Sequence, residues 1–214
     1  MKVFVINAYP ERRKKYDDRY TLFPAILAKD ITDEDCDNYS FYWNISSKLK
    51  NNIVACSMSH KKCLENIVIN KLDECIIIED DAVIDFNRLD ELKEYNDFTY
   101  VGGHIESPLL KQYKDFRKDL LISKEGKNKI DTDNFVVMGT FGMYIPSWKI
   151  AKMLIDNIPV NNKEKAIDVE LKKLQKKKLI NYYHYPAIST LHLEDAKTGF
   201  SAQQMNKLTT FYNY

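Results

Sequence analysis

The sequence predicts an α/β fold with a single mixed, mostly parallel sheet flanked by helices. Two apolar runs, at residues 3–6 and 75–78, are short, mostly β-branched and bounded abruptly by polar residues. Strands with this pattern are covered on both faces, as in a parallel sheet. Residues 57–70 carry apolar side chains at helical spacing, with Ser57 or Ser59 placed to cap the first turn. We therefore expect two neighbouring parallel strands joined by a crossover helix.

Two further strands are predicted from short apolar segments. The first covers residues 98–101 and ends at Gly102 and Gly103, and the second lies within residues 135–145. Glycines inside the second segment leave room for another backbone to approach closely. Together with the first two strands, these segments give a predicted sheet of at least four strands.

Two amphipathic helices follow in the chain. Residues 147–157 place apolar side chains on one stripe and precede the helix-breaking Pro159. Residues 163–178 show a similar apolar face among many lysines, which is typical of a helix with one solvated side. The charged, aperiodic residues 111–134 predict a loop or a short helix near a site entrance.

The length favours a single domain over residues 1–214, because 214 residues are enough for one sizeable hydrophobic core. Residues 182–214 mix aromatic, polar and glycine residues without a period. We expect this tail to be irregular, with residues 185–214 packed on the core as a C-terminal segment.

Charge and composition argue against several function classes. Lys and Arg number 32 and Asp and Glu 31, so a net charge of +1 gives no overall attraction for nucleic acid or an anionic membrane. The apolar start is too short for a secretion signal, and no stretch approaches the roughly 18 apolar residues of a membrane span. The four cysteines show no CxxC or Cys/His spacing that would indicate zinc or a disulfide framework. We expect a cytoplasmic protein.

Three adjacent carboxylates, Glu79, Asp80 and Asp81, directly follow the apolar run at residues 75–78. The carboxyl edge of an open α/β sheet is where ligands bind. Because side chains alternate along a strand, Glu79 and Asp81 are expected to face the same way and share a cation, with Asp80 turned toward a neighbouring group. Three acids this close need compensation, which favours Mg²⁺ or Mn²⁺. The alternative is that they cap the next turn or pair with nearby lysines.

Several short motifs occur in order along most of the chain. They are VIN at residues 5–7 followed by RR at 12–13, ACSMSH at 55–60, IIEDDA at 77–82, MYIP at 143–146 and IDVEL at 167–171. This set of motifs resembles glycosyltransferase family 25, which includes lipooligosaccharide galactosyltransferases and the collagen glycosyltransferases. Each motif alone is weakly specific, but their common order and spacing make the resemblance specific.

The resemblance implies a GT-A type nucleotide-sugar fold and transfer of a hexose with inversion at the anomeric carbon. The implied donor is UDP-galactose or UDP-glucose, and the implied acceptor is a glycan or a hydroxylated side chain of a protein. The acidic motif, including Asp80, would bind Mn²⁺ or Mg²⁺ and the diphosphate of the donor. A cation held by Glu79 and Asp81 would stabilise the charge that develops on the departing nucleotide.

An inverting transfer also needs a general base beside the acceptor hydroxyl. The resemblance suggests Asp168 for this role, because it lies at the start of a helix in the matching IDVEL motif. The alternative is an exposed i,i+4 salt bridge between Asp168 and Lys172, which is worth only a few tenths of a kcal/mol.

Three residues near the end of the first strand are candidates for donor binding. Arg12 and Arg13 suit the phosphates or the base of a nucleotide, because the planar guanidinium makes paired hydrogen bonds. Asn7 is placed to hydrogen-bond the nucleotide. The alternative for either arginine is a solvated charge run with the lysines that follow.

Further candidates come from the later motifs. His60 is placed to contact the donor, although a histidine there also serves as a structural hydrogen-bonding residue. Gly102 and Gly103 would let the backbone approach the sugar, or simply form a turn. Folds of the implied type often take a third metal ligand from a late histidine, and His192 is the preferred candidate.

Two other functions remain open from the sequence. Carboxylates at a strand end also serve Mg²⁺-dependent phosphoryl transfer, but the chain lacks a G-x-x-x-x-G-K-[ST] loop. A catalytically degenerate sugar- or nucleotide-binding module fits the unusual C-terminal region and the 14 tyrosines, which stack on sugars but more often fill cores.

Overall fold

The computed structural model describes residues 1–41, 46–106, 124–159 and 165–191. Strands and helices alternate through these residues. The strands are β1 (Lys2–Asn7), β2 (Tyr20–Pro24), β3 (Cys75–Glu79), β4 (Ala82–Ile84), β5 (Thr99–Tyr100), β6 (His104–Glu106), β7 (Gly126–Lys129), β8 (Val136–Met138), β9 (Met143–Ile145), β10 (Tyr182–Tyr185) and β11 (Ser189–Leu191). The α-helices are α1 (Asp33–Asp37), α2 (Ser47–Ile69), α3 (Trp148–Asn157) and α4 (Ile167–Lys176).

A seven-stranded sheet in the order β2-β1-β3-β9-β5-β10-β7 forms the centre of the described part of the chain. Strands β2, β1, β3, β5 and β10 run in one direction, whereas β9 and β7 run against their neighbours. Two small sheets, β11-β4 and β6-β8, accompany it. The predicted mixed, mostly parallel α/β architecture is confirmed, and the two small sheets are additions to it.

The first prediction of neighbouring strands is also confirmed. β1 pairs with β3 in parallel, with Val5 opposite Ile78. Both of these side chains pack in a buried cluster that includes Leu92, whereas Phe4 and Ile77 pack in a second cluster with residues of α2, α3 and α4. Helices and loops therefore cover both faces of the sheet, which explains why these strands are continuously apolar.

The crossover helix α2 begins ten residues before the predicted start at residue 57. Its N-cap is Ser46, whose side chain accepts a hydrogen bond from the Leu49 N–H. The predicted caps, Ser57 and Ser59, are wrong because both lie inside the helix. The Ser59 hydroxyl donates to the Ala55 carbonyl at 2.6 Å and accepts from the Ile26 N–H at 2.9 Å, so it serves a tertiary contact.

The segment at residues 135–145 is two strands and not one. β8 pairs with β6 in a small sheet, and β9 enters the central sheet between β3 and β5. Between them, Gly139 adopts a positive φ of 92°, which a glycine accommodates without steric cost and which turns the chain between the two sheets. The predicted strand over residues 98–101 is confirmed as β5.

The helices predicted over residues 147–157 and 163–178 correspond to α3 and α4, although α4 begins at Ile167. The expectation of an irregular tail from residue 182 is wrong for the described residues, since β10 and β11 lie there. The two central residues of β10, Tyr183 and His184, are both buried although they point to opposite faces, so its sequence lacks the alternation that marks a half-exposed strand. Residues 192–214 lie outside the described part.

Of the region predicted as a loop near a site entrance, residues 111–123 lie outside the described part, and β7 forms an edge of the central sheet. No helix among the described residues is both long and apolar enough to cross a membrane.

Candidate active site

Three carboxylates converge where β3 ends and α4 begins. Glu79 is the last residue of β3, Asp81 follows two positions later, and Asp168 is the second residue of α4. All three side chains are partly buried. Burial is the main cause that raises the pKa of Glu79 and of Asp81; the charge of Asp168 adds to the rise at Glu79, and the charge of Glu79 adds to the rise at Asp81. We call these three residues the acidic cluster.

Glu79 is held by polar groups from two other segments. The Thr140 hydroxyl donates a short hydrogen bond to Glu79 Oε1, and His60 Nε2 lies 3.7 Å from the same oxygen. The side chain keeps 31% of its surface exposed. Burial raises the pKa of Glu79, the Thr140 hydrogen bond lowers it, and the charges of Asp80 and Asp168 raise it further. The carboxylate is therefore fixed in orientation but only partly compensated.

Asp81 carries the least compensated oxygen of the cluster. Its Oδ1 is buried and has no hydrogen-bond partner among the residues that the structure describes. Burial, followed by the charge of Glu79, raises the pKa of Asp81 to about 7. A divalent cation would supply the missing positive charge, and two carboxylates are the donors that Mg²⁺ and Mn²⁺ prefer. The predicted pair Glu79 and Asp81 therefore fits a hard cation.

Asp80 points away from the cluster, as predicted, although Asp80 and Asp81 lie in the turn between β3 and β4 and not in a strand. Its Oδ2 accepts hydrogen bonds from the backbone N–H groups of Ala8 at 2.7 Å and Tyr9 at 2.8 Å. The Arg12 Nη1 donates to its Oδ1 at 2.5 Å, and both side chains are about nine-tenths buried. Asp80 therefore ties the loop after β1 to the end of β3. Its predicted contact with the donor remains a prediction.

The loop that Asp80 holds brings the other predicted donor-binding residues together. Arg12 stacks on the Tyr9 ring, with 4.4 Å between the guanidinium carbon and the ring centroid. Arg13 is exposed and donates to the Asn7 side-chain oxygen at 2.8 Å. Tyr9 itself is 46% exposed. The sequence analysis did not single out this aromatic residue, although its position directly after β1 was a signal for it.

Asp168 is positioned by the first turn of α4. Its Oδ1 accepts from the Val169 N–H at 2.8 Å. The N-terminus of α4 lacks a side-chain cap of its own, and instead the Ser57 hydroxyl of α2 accepts from the Ile167 N–H at 3.0 Å. Burial raises the pKa of Asp168. The carboxyl group is thus partly buried and oriented, with its pKa moved toward the range of a general base.

The alternative explanation for Asp168, a salt bridge with Lys172, does not describe the structure. The Lys172 ammonium instead lies 2.5 Å from Glu106, a residue of β6. Lys172 therefore pairs with Glu106 and not with Asp168. The charge of Glu106 adds to the effect of burial in raising the pKa of Asp168.

The comparison with protein families gives one match. The sequence model of glycosyltransferase family 25, described as an LPS biosynthesis protein, covers residues 1–171. The chain belongs to glycosyltransferase family 25. The matched range contains β1, the acidic motif and the start of α4, and a transferase of this family requires a sugar donor and an acceptor. A comparison with curated proteins gives no significant match.

In this family 25 chain, Gly102 is needed for close packing of the backbone. A Cβ atom there would lie 2.8 Å from the Ser189 carbonyl oxygen, and one at Gly142 would lie 2.5 Å from the Gly102 nitrogen. The two glycines therefore allow β11 and the chain before β9 to meet. Gly103 is buried beside this contact, and the predicted approach of both glycines to a sugar remains a prediction. His192 lies outside the described residues.

His60 of the family 25 chain is completely buried behind Glu79. Its Nδ1 lies 3.0 Å from the Cys56 carbonyl oxygen, and its Nε2 lies 3.4 Å from the Thr140 carbonyl oxygen. The sequence analysis missed Cys56 and Thr140 as neighbours of the site. The i,i+4 spacing of Cys56 and His60 on one helix was a signal for the first, whereas Thr140 reaches Glu79 only through the tertiary fold.

Proposed function

We propose that the protein is an inverting glycosyltransferase that moves a hexose from a nucleoside-diphosphate sugar, UDP-galactose or UDP-glucose, to a hydroxyl group of a glycan or protein acceptor. The single observation that supports this most is the buried Asp81 Oδ1, which has no partner among the described residues and lies in a family 25 acidic motif. An orphaned buried carboxylate oxygen is costly unless a ligand compensates it.

In this proposal, Glu79 and Asp81 hold Mn²⁺ or Mg²⁺. When bound, the cation neutralises negative charge on the leaving diphosphate. Thr140 and His60 keep Glu79 oriented by their contacts with Oε1. Fixed ligands of this kind reduce the reorganisation that binding requires.

Asp168 acts as the general base. The acceptor oxygen forms a bond to the anomeric carbon, the bond from that carbon to the diphosphate oxygen breaks, and the acceptor proton moves to an Asp168 carboxylate oxygen. Burial favours this transfer because it raises the pKa of Asp168. The hydrogen bond from the Val169 N–H holds one carboxylate oxygen, which leaves the other for the acceptor.

The loop after β1 binds the nucleotide. Asp80 and Arg12 give the loop its shape, whereas Arg13 and Tyr9 are the exposed members. An exposed guanidinium suits a phosphate, and an exposed aromatic ring suits a base. Of the residues proposed for binding the nucleotide sugar, Asp80 and Arg12 therefore shape the loop, and Arg13 and Tyr9 contact the ligand.

A thermal-shift panel of nucleotide sugars with and without Mn²⁺ tests the proposal. A ligand that binds the folded state raises its apparent stability by mass action, by about 2.7 kcal/mol at a hundred times Kd. We expect one UDP-hexose to stabilise the protein only when Mn²⁺ is present. Asp81→Asn should abolish this joint effect, whereas Asp17→Asn, at an exposed ion pair with Arg19, should retain it.

Turnover separates the transferase from a degenerate binding module. Slow hydrolysis of the stabilising nucleotide sugar without acceptor supports the transferase. A stabilising donor that is never turned over with any acceptor would contradict the enzymatic proposal, and an unaltered response of Asp81→Asn would remove Asp81 from the cation site.

A further inference from the structure

A cysteine, a histidine and a carboxylate meet on the inner side of Glu79. Cys56 and His60 lie one turn apart on α2, and Glu79 reaches them from the end of β3. The Cys56 sulfur is 3.7 Å from His60 Nδ1, and His60 Nε2 is 3.7 Å from Glu79 Oε1. One ligand atom from each of the three residues lies within 4.8 Å of the other two. We call these residues the α2–β3 triad.

The chemistry of the triad differs from that of the acidic cluster. Mg²⁺ and Mn²⁺ prefer oxygen ligands, whereas thiolate and imidazole select zinc and other softer cations. The two 3.7 Å distances involve different ring nitrogens of His60, and an ion would bind only one of them. One ligand atom from each residue nevertheless lies within 4.8 Å of the other two, so small side-chain rotations would bring all three to the bond lengths of about 2.0–2.3 Å of one tetrahedral ion. The triad thus offers the three protein ligands of an open tetrahedral site.

The surroundings of His60 support a role as a ligand. Its Nδ1 faces the Cys56 carbonyl oxygen at 3.0 Å, so an Nδ1–H donates there and Nε2 is the nitrogen that an ion beside Glu79 would use. A hydrogen bond from the second ring nitrogen to a backbone carbonyl is the usual support of a metal-bound histidine. Nε2 faces two acceptors, the Thr140 carbonyl oxygen at 3.4 Å and Glu79 Oε1 at 3.7 Å, so a proton or a cation on Nε2 is favoured.

Glu79 connects the triad with the acidic cluster. His60 is completely buried, but the Glu79 side chain is 31% exposed and belongs to both groups. Binding would release the Cys56 thiol proton to solvent and form a metal–thiolate bond. An ion in the triad would therefore take a carboxylate away from the cation that accompanies the donor.

We propose that Cys56, His60 and Glu79 form a binding site for Zn²⁺ or Cd²⁺, and that this ion competes with Mn²⁺ or Mg²⁺ for Glu79. The existence of the site does not depend on the proposed function. The competition does rest on it, because it assumes a donor cation between Glu79 and Asp81.

Cadmium titration of the reduced protein tests the site. The expected result is one equivalent of Cd²⁺ with a thiolate-to-cadmium charge-transfer band, which Zn²⁺ displaces. Cys56→Ser should lose the band, whereas Cys36→Ser, a matched change at another partly buried cysteine, should keep it. Glu79→Gln should keep the band but weaken binding by at least about tenfold. A band that persists in Cys56→Ser, or no band in the wild type, would overturn the proposal.

The competition is tested by repeating the Mn²⁺-dependent thermal shift with the stabilising UDP-hexose in the presence of Zn²⁺. Zn²⁺ should reduce the shift in the wild type and have a smaller effect in Cys56→Ser. An equal effect in both proteins overturns the competition. Because the cadmium band needs neither donor nor acceptor, a missing band counts against the site alone, and a missing Mn²⁺-dependent shift counts against the proposed function and the competition together.

Discussion

Asp80 accepts hydrogen bonds from the backbone of Ala8 and Tyr9 and pairs with Arg12, whereas the next residue, Asp81, has a buried oxygen without a partner among the described residues. Both carboxylates lie at the same end of β3. The turn between β3 and β4 places the first against the loop after β1 and the second on the side of Glu79.

The difference separates two uses of a buried charge. A buried carboxylate that is paired with a charge of the protein fixes the structure around it. Removing that carboxylate leaves the opposite charge buried without its compensation, which is costly. A carboxylate that the protein leaves uncompensated lowers stability and is retained where a ligand provides the compensation. On this basis, Asp80 is a structural support for the loop after β1, and the acidic cluster is the site at which a ligand would supply the compensating charge.

Asp168→Asn should have the largest effect, on activity alone. If Asp168 is the general base, kcat should fall by about 10²–10⁴-fold. Donor binding should remain, since Glu79 and Asp81 are unchanged, and the Mn²⁺-dependent thermal shift provides the control. A variant that transfers sugar at the wild-type rate would assign the base to another residue.

Asp80→Ala should have the opposite signature. It leaves the buried Arg12 guanidinium without its carboxylate, which typically costs about 3–5 kcal/mol, and it also removes the acceptor for two backbone N–H groups. Chemical denaturation should show this loss with and without Mn²⁺. Asp17→Ala, which breaks an exposed pair with Arg19, should cost less than about 1 kcal/mol. Equal costs for the two variants would remove the distinction between Asp80 and a surface acid.

Ser57→Ala should cause both a small loss of stability and a fall in kcat. The hydroxyl caps α4 from the neighbouring helix, and loss of a cap costs about 0.5–2 kcal/mol. Because the same turn orients Asp168, kcat should fall while KM for the donor is unchanged. Ser46→Ala removes the cap of α2 and should cost similar stability without the kcat effect. Equal kcat values in the two variants would limit Ser57 to a structural role.

The smallest effect concerns pH in the absence of divalent cations. Burial, followed by the charge of Glu79, raises the pKa of Asp81 from 3.8 to about 7. A raised folded-state pKa means stability that is complete below 3.8 and is lost as the pH rises through about 7. Between about pH 8 and about pH 6, the wild type should gain up to about 1 kcal/mol, or about 2–4 °C in Tm. Asp81→Asn should lack that part of the gain, and an identical pH dependence would contradict it.

Local sequence was sufficient for the centre of the fold. The apolar runs that form β1 and β3 are buried on both faces, and such burial requires the uninterrupted apolar residues that the sequence shows. Strand alternation predicted that Asp80 would turn away from Glu79 and Asp81, although the turn between β3 and β4, and not a strand, produces this separation. The proximity of Asp168 to this motif has no local signal, and the family resemblance suggested the residue.

Contacts between distant segments account for what the sequence did not predict. Ser57 looks like the start of a helix, but its hydroxyl serves α4, which lies 110 residues further along the chain. Thr140 reaches Glu79 only because β9 enters the sheet beside β3. The ion pair between Asp80 and Arg12 likewise depends on the pairing of β1 with β3. Patterns within one segment carry no trace of such partners.

A crystal structure with Mn²⁺ and the stabilising nucleotide sugar tests most directly whether the uncompensated carboxylates hold the donor's cation. The account predicts an anomalous manganese peak that Glu79 and Asp81 coordinate, with the diphosphate on its other side and Asp80 still paired with Arg12. A manganese ion bound elsewhere, with the buried Asp81 oxygen satisfied by a protein donor, would contradict it.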